Sequence, residues 1–380
     1  MMLTETISSE NPMSATNDVV ISTNQVRVLA VRGKDILYIK KIIFKYIVTS
    51  LFLFNIQPAL AMDVSPYQPG QVLTEEQANI LIQRYADRQQ QEWKAAPDIK
   101  TLEGRADGDL IRYGIKVLDK TLATIGPQVA DSSKRYSGNS LNCSSCHLKG
   151  KDGLPGTRFY AIPFNNMIND YPNFRARSMS IGTAADRVNG CMTRSMGNGK
   201  PLPVNSREMT GILAYFSWLG EGTQQNQSMH GTGLPSLKLP PRAADIDNGK
   251  LVYARSCQSC HGASGLGTPS ADYAKTGAYL FPPLAGKDSF NDGAGMSRII
   301  KATRFIHANM PLGASSEQPI LSVDDAFDVA GFIESLARPN RPDRDKDFPD
   351  PKFRPADYPV PGYFGDDNKA LERAKYGPFN

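Results

Sequence analysis

Histidine is scarce in this 380-residue chain, which has four, and cysteine is nearly as rare, with five. So few imidazoles leave little with which to build a zinc site. Neither sign of charge dominates: 43 Lys and Arg against 38 Asp and Glu give a formal +5, too balanced for a protein that binds nucleic acid. The composition carries neither the bias of a disordered chain nor a collagen-like repeat. A folded protein is expected, long enough for two modest domains or one large one. Beyond residue 61 no stretch approaches the roughly 20 apolar residues of a membrane span, so no transmembrane anchor is expected.

The one apolar run is short and lies near the N-terminus. In KKIIFKYIVTSLFLFNIQPALAMD, Lys40, Lys41 and Lys45 form a basic region and residues 46–56 an apolar one. Ala59, Leu60 and Ala61 then form a small-residue cleavage site, which completes a secretory signal over residues 40–61. Residues 1–39 lie upstream of it and look like neither a domain nor a targeting element; a misplaced start codon is the simple explanation. Export implies an oxidising compartment, where an unpaired thiol is a liability unless something protects or uses it.

Four of the five cysteines occur in two copies of one motif. CSSCH supplies Cys143, Cys146 and His147, and CQSCH supplies Cys257, Cys260 and His261. This is the attachment signature of c-type haem: two thiols add to the vinyl groups of one haem and the adjacent imidazole reaches its iron. Two covalently bound haem c groups are expected. A zinc site would want further ligands, and only two histidines remain outside the motifs.

The surroundings of the motifs repeat as well. Leu110, Ile111, Ile115 and Leu118 give a helical pattern before the first motif. DNGKLVYARS, capped by Asp247 or Asn248, gives one before the second. After them come amphipathic helices with Met209, Ile212, Leu213 and Phe216, and with Val329, Phe332, Ile333 and Leu336. The expectation is an all-α fold of two tandem cytochrome c domains, residues 62–230 and 246–338, joined by a Pro/Gly-containing linker at 231–245. An additional N-terminal helix starts at Thr74, where TEEQ offers a capping box with Gln77. A Pro-rich tail, 339–380, is too rich in proline for helix or sheet over RPNRPDRDKDFPDPKFRPADYPVPGYFGDD, and its Tyr358, Tyr363 and Phe364 suggest packing along the surface.

A cytochrome haem takes a further iron ligand from a loop ahead of the last helix. In the second domain Met310, in NMPLG, fills that place, and its thioether raises the potential as an electron-exit haem requires; His307 reads as a surface or propionate-contacting residue. Counting back by the spacing of the motifs and of the closing helices lands on residues 190–196 in the first domain, which hold Cys191, Met192 and Met196. Spacing does not choose among them. Cys191 has no disulfide partner once the motif cysteines are consumed; it is either an iron-bound thiolate, which lowers that haem's potential, or a buried hydrophobe with Met196 on the iron. Arg175, Arg177, Arg187 and Arg194 cluster around this stretch, with Ser195 beside them. Such guanidinium groups hold either a small dianion or the haem propionates.

DRVNGCMTRSMGNGKPLP, the two C-x-x-C-H motifs and NMPLG together make the chain resemble the dihaem thiosulfate dehydrogenases, exported cytochromes related to the haem subunit that begins periplasmic thiosulfate oxidation. The resemblance runs from about residue 70 to 340 and is most specific at the cysteine segment. It implies a periplasmic enzyme that couples two thiosulfates to tetrathionate, reversibly in some members, and passes two electrons to a small acceptor such as a cytochrome c or a high-potential iron-sulfur protein. By similarity, His147 and Cys191 ligate the catalytic haem, His261 and Met310 the electron-transfer haem, and Arg177, Arg187 and Ser195 match the substrate site. Some members carry a lysine beside the equivalent of Met310 that replaces it on the iron; here the neighbour is Asn309. The competing classes are a plain dihaem electron carrier or cytochrome subunit of another dehydrogenase, which leaves Cys191 and its arginines unexplained, and a dihaem peroxidase, which needs a readily vacated iron site.

Overall fold

The computed structural model describes residues 67–379, so the expected signal at 40–61, the extension at 1–39 and the first residues of the expected first domain lie outside the described part. The first helix, α1 (Glu75–Ala86), opens on the capping box read in the sequence. Thr74 Oγ1 accepts the Gln77 N–H at 3.3 Å, and the Gln77 side chain accepts the Thr74 N–H at 3.0 Å. Its buried Ala78 and Leu81 pack with Leu73, Phe174 and Ile181.

Helices dominate the rest of the described chain. α2 (Gly108–Asp119) and the short α3 (Thr121–Ile125) precede the first cysteine motif; α4 (Ala184–Met192) carries Cys191, and α5 (Arg207–Leu219) lies beyond it. α6 (Ile246–Ser256) runs into α7 (Gln258–His261), which is itself the second motif. α8 (Tyr273–Thr276), α9 (Ile299–Asn309) and α10 (Val323–Ser335) come next, and α11 (Asn368–Tyr376) closes the chain. The all-α expectation omits three small ladders. Gln90–Gln91 pairs parallel with Ser228–Met229, Asn173–Arg175 antiparallel with Ser180–Gly182, and Thr268–Pro269 antiparallel with Tyr279–Phe281. None is longer than three residues, so they pin loops rather than build a layer.

Two helix crossings organise the chain, and glycine makes both possible. A Cβ on Gly114 of α2 would lie 2.0 Å from the Gly211 carbonyl oxygen of α5, and one on Gly249 of α6 would lie 2.1 Å from the Asp328 carbonyl oxygen of α10. Only hydrogen fits at either position. Ile111, Val117 and Leu118 of α2 meet Met209, Ile212 and Phe216 of α5 in one core. Val252 and Tyr253 of α6 meet Phe327, Val329 and Ile333 of α10 in another, to which Ile299 and Ile306 of α9 also belong. Leu110, Ile115, Leu213 and Phe332, at the margins of the expected apolar stripes, are half-buried.

The cap of α6 is neither Asp247 nor Asn248 but Asp245, whose carboxylate accepts the Asn248 N–H at 2.9 Å. The reason lies in α10. Buried Asp328 accepts the Asp245 N–H at 2.9 Å and the Asn248 side-chain amide at 2.8 Å, so Asn248 ties two helices together and the cap falls to Asp245. Residues 338–367 form only short 3-10 turns, in keeping with their prolines. α11 begins where the prolines stop, with Asp367 accepting the Ala370 N–H at 2.9 Å. Phe348, Tyr358 and Val360 form a small buried cluster of their own. Among the described residues no helix is long and apolar enough to cross a membrane.

Candidate active site

The first motif begins on a 3-10 turn, Cys143–Ser145, directly below α3. Thr121 fixes its first cysteine from two sides, accepting the Cys143 N–H at 2.9 Å and donating to the Cys143 sulfur at 3.3 Å. Burial pushes the Cys143 thiol up to about 11 and the Cys146 thiol up to about 12, so neither is an anion at neutral pH. His147 Nδ1 lies 2.6 Å from the Ile162 carbonyl oxygen. A carbonyl only accepts, so this bond places the ring proton on Nδ1 and leaves Nε2 free as a base or metal ligand. The second motif repeats the device: His261 Nδ1 is 2.8 Å from the Pro282 carbonyl oxygen, and burial lowers the pKa of the ring. Phe164 stacks on His147 with ring centroids 4.3 Å apart.

Cys191 lies in the last turn of α4, a helix started by a Thr183/Asp186 capping box and held at its far end by paired hydrogen bonds between Asn189 and Leu202, of 2.8 and 3.0 Å. One turn earlier stands Arg187, whose Nη1 donates to the Cys191 sulfur at 2.7 Å. Burial opposes ionisation of this thiol, but the Arg187 charge, aided by the nearby His147 side chain, overrules it and pulls the pKa down to about 5. The charges around this sulfur therefore favour its thiolate form. Cys191 also raises the pKa values of Cys143 and Cys146 by charge repulsion, so all four donors of this half share one neighbourhood. Met192 and Met196 turn instead into the α2/α5 core, at 2 % and 3 % exposure.

The four arginines divide. Arg187 faces the Cys191 sulfur and Arg175 donates to the Tyr171 hydroxyl at 2.9 Å. Arg177 and Arg194 instead share one carboxylate from far along the chain, Asp347, at 2.5 and 2.6 Å. Tyr358, buried beside it, donates to the same carboxylate at 2.7 Å and accepts from Arg177 at 2.8 Å. Burial would raise the Asp347 pKa, but the two guanidinium groups hold it below the ordinary carboxylate value. The Ser195 carbonyl accepts from Asn139 at 2.9 Å. Sequence reasoning missed Asp347 altogether, because nothing local sets it apart from Asp345 two residues before it.

In the other half Cys257 and Met310 both pack, partly buried, against the core of α6, α9 and α10. His307 is half-buried rather than on the surface, and burial lowers its pKa. A strap at residues 158–162 connects this half to the first motif. The Ile162 carbonyl bonds His147, the Tyr160 carbonyl accepts from Asn309 at 3.1 Å, and Arg158 donates to the Ala314 carbonyl at 2.5 Å. The Tyr160 and Ile162 N–H groups bond the Gly231 and Gly233 carbonyls at 2.7 and 2.9 Å.

This donor set suits haem. Among the described residues no three His, Cys, Asp or Glu side chains converge as a cage for a bare metal ion, and no cysteine is in a disulfide. Present instead are two thiol pairs, each beside an imidazole whose Nε2 is kept free, as iron held in a covalently attached ring requires. The molecule is a c-type cytochrome, and the cytochrome c family matches residues 246–337, from α6 through α10. The chain is 38 % identical over 255 residues to the thiosulfate dehydrogenase of Psychrobacter arcticus, covering 67 % of this chain and 71 % of that one. To the thiosulfate dehydrogenase of Allochromatium vinosum it is 40 % identical over 243 residues, covering 64 % and 83 %. A solved thiosulfate dehydrogenase (TsdBA) from Marichromatium purpuratum superposes with a TM-score of 0.58 at 32 % identity, across 66 % of this chain and half of that one. The chain belongs to the thiosulfate dehydrogenase family.

Proposed function

We propose that this cytochrome is a periplasmic dihaem enzyme that couples two thiosulfates to one tetrathionate and delivers two electrons to a small acceptor, a cytochrome c or high-potential iron-sulfur protein. Two tandem cytochrome c units carry it, each built on a glycine-mediated helix crossing. Cys143, Cys146, His147 and Cys191 hold the first haem; Cys257, Cys260, His261 and Met310 hold the second. When bound, each haem supplies a one-electron acceptor.

The observation that carries this reading is the Cys191 sulfur held 2.7 Å from the Arg187 guanidinium, which favours its anion. An electron carrier has no use for a fifth cysteine held as an anion beside a guanidinium group. In a sulfur-oxidising enzyme that sulfur bonds the sulfane sulfur of one thiosulfate, with loss of two electrons, to give a cysteinyl thiosulfonate. The sulfane sulfur of a second thiosulfate then attacks, forming the central bond of tetrathionate and returning the Cys191 thiolate. No proton is needed in either step, and both run backwards when tetrathionate is supplied with electrons. Arg187, Arg177 and Ser195 offset the repulsion between dianions.

The test is Cys191→Ala purified with both haems attached. The expected outcome is that thiosulfate no longer reduces the haems, and that a histidine/thiolate low-spin signal, expected in electron paramagnetic resonance of the parent protein, is missing from the variant. Undiminished oxidation of thiosulfate by the variant overturns the assignment. If thiosulfate fails to reduce the haems of the unaltered protein, the electron-carrier reading stands in its place.

A further inference from the structure

The turn that follows Cys191 is held by parts of the chain far from it in sequence. The Cys191 carbonyl accepts the Arg194 and Met196 N–H groups at 3.1 and 3.0 Å, so residues 191–196 close into one turn at the end of α4. Four successive carbonyls of that turn then bond donors outside it. Thr193 accepts from the Asn291 side-chain amide at 3.0 Å and Arg194 from the Asn291 N–H at 3.2 Å. Ser195 accepts from the Asn139 amide at 2.9 Å, and Met196 from the Gly138 N–H at 2.8 Å.

Two of these bonds come from one residue of the second half. Asn291 lies in the loop ahead of α9 and is 0 % exposed. Both ends of its amide are engaged: the nitrogen also donates to the Asn198 side-chain oxygen at 2.6 Å, and the oxygen accepts the Gly293 N–H at 3.1 Å. The Thr193 carbonyl only accepts, which fixes the nitrogen on its side. On either side of Asn291, Phe290 and Ala294 are buried in the α2/α5 core. The second half thus sends a loop into the first, and the polar residue of that loop lands on the Cys191 turn. A buried amide is costly unless bonded in this way. What these bonds hold is the backbone of a residue whose sulfur has to meet iron within about 0.2 Å.

We infer that Asn291 is a positioning residue for Cys191: acting through the backbone of the turn, it sets the sulfur at the first haem iron, so that the ligand set of the first half is completed by the second. This rests on one part of the proposed function, that Cys191 holds the first iron. The rival use of the amide is to join the two halves without affecting where the sulfur lies.

The experiment uses the holoenzyme with both haems. Electron paramagnetic resonance of the oxidised parent is recorded first; absence of a histidine/thiolate low-spin signal defeats the ligand assignment and the inference with it. Given that signal, Asn291→Ala is expected to lose part of it to a second species, to raise the potential of the first haem and to leave that of the second at the parent value. Turnover of thiosulfate is expected to fall about tenfold or more in kcat with KM within about threefold, because the loss is one of geometry at the sulfur and not of the arginines. If thiosulfate does not reduce the parent, the enzyme reading fails, while the signal and the first-haem potential still decide the role of Asn291. A parent signal together with a parent first-haem potential in Asn291→Ala overturns the inference, whatever the stability of the variant, and assigns the amide to joining the halves. Should Asn291→Ala lose haem, Asn291→Asp, which keeps the shape but sets an acceptor against the Thr193 carbonyl, decides on the same two readouts.

Discussion

Replacing Asp347 by Asn removes one negative charge from among three guanidinium groups, those of Arg177, Arg194 and, at 3.7 Å, Arg341, while leaving the side chain's shape. The Asp347 side chain is 6 % exposed and those of Arg177 and Arg194 are 18 % and 14 %, so the buried rather than the surface scale applies. Breaking a buried ion pair from one side costs about 3–5 kcal/mol, because the remaining charge is left uncompensated. The amide oxygen still accepts from one arginine, which points to the lower end, about 3 kcal/mol, or a fall in thermal midpoint of roughly 5–10 °C. Urea unfolding of the holoprotein, followed by haem absorbance, reads this directly. The pH dependence has a definite sign. The folded pKa of Asp347 is depressed, so its contribution is complete above the unfolded value of about 3.9 and is lost as pH falls through the folded one; parent and variant converge in acid. In a cycle with Arg194→Gln the two losses should fall short of additivity by about 1 kcal/mol or more. A loss below about 0.5 kcal/mol at pH 7 refutes the reasoning and means that solvent, not Asp347, compensates the arginines.

Gly249→Ala puts a methyl group 2.1 Å from a backbone oxygen of α10, and Gly114→Ala does the same at 2.0 Å from α5. Each should cost about 1–3 kcal/mol in chemical denaturation as the helices are forced apart, and a neutral result would show that the crossings have slack. Glu334, buried with one carboxylate oxygen unbonded, is pushed up to about 7 because burial outweighs Arg338, 3.4 Å away. A raised folded pKa means that stability is fully present below the unfolded value and declines as pH rises toward 7. Glu334→Gln should flatten that decline and be more stable above pH 7 by on the order of 1–3 kcal/mol; identical pH profiles for parent and variant would rule out this carboxyl as the cause.

The features legible in the sequence were those that adjacent residues decide. A cysteine pair followed by histidine is a local motif, the 3.6-residue recurrence of Met209, Ile212 and Phe216 is local, and so is the Thr74 capping box. The place of Cys191 came from spacing, but its difference from Met192 and Met196 did not. That depends on which face of α4 meets Arg187 and which meets the core, and a seven-residue window does not show it. The arginine cluster was visible as composition, whereas its division was not. Arg177 and Asp347 lie 170 residues apart, and no pattern in either segment announces the other.

The strap at residues 158–162 has a consequence for how this chain tolerates change. Its carbonyls at Tyr160 and Ile162 serve two different clients, the Asn309 amide beside Met310 and the His147 ring, while the N–H groups of the same two residues are anchored to Gly231 and Gly233. These contacts are made by backbone, so side-chain replacements along the strap can leave them in place. An insertion or deletion of a single residue cannot, because it advances every carbonyl by one position and offers His147 the wrong partner. Length, more than residue identity, is the quantity that function constrains here, and related chains can be compared by counting residues between the first motif and this strap before any side chain is compared.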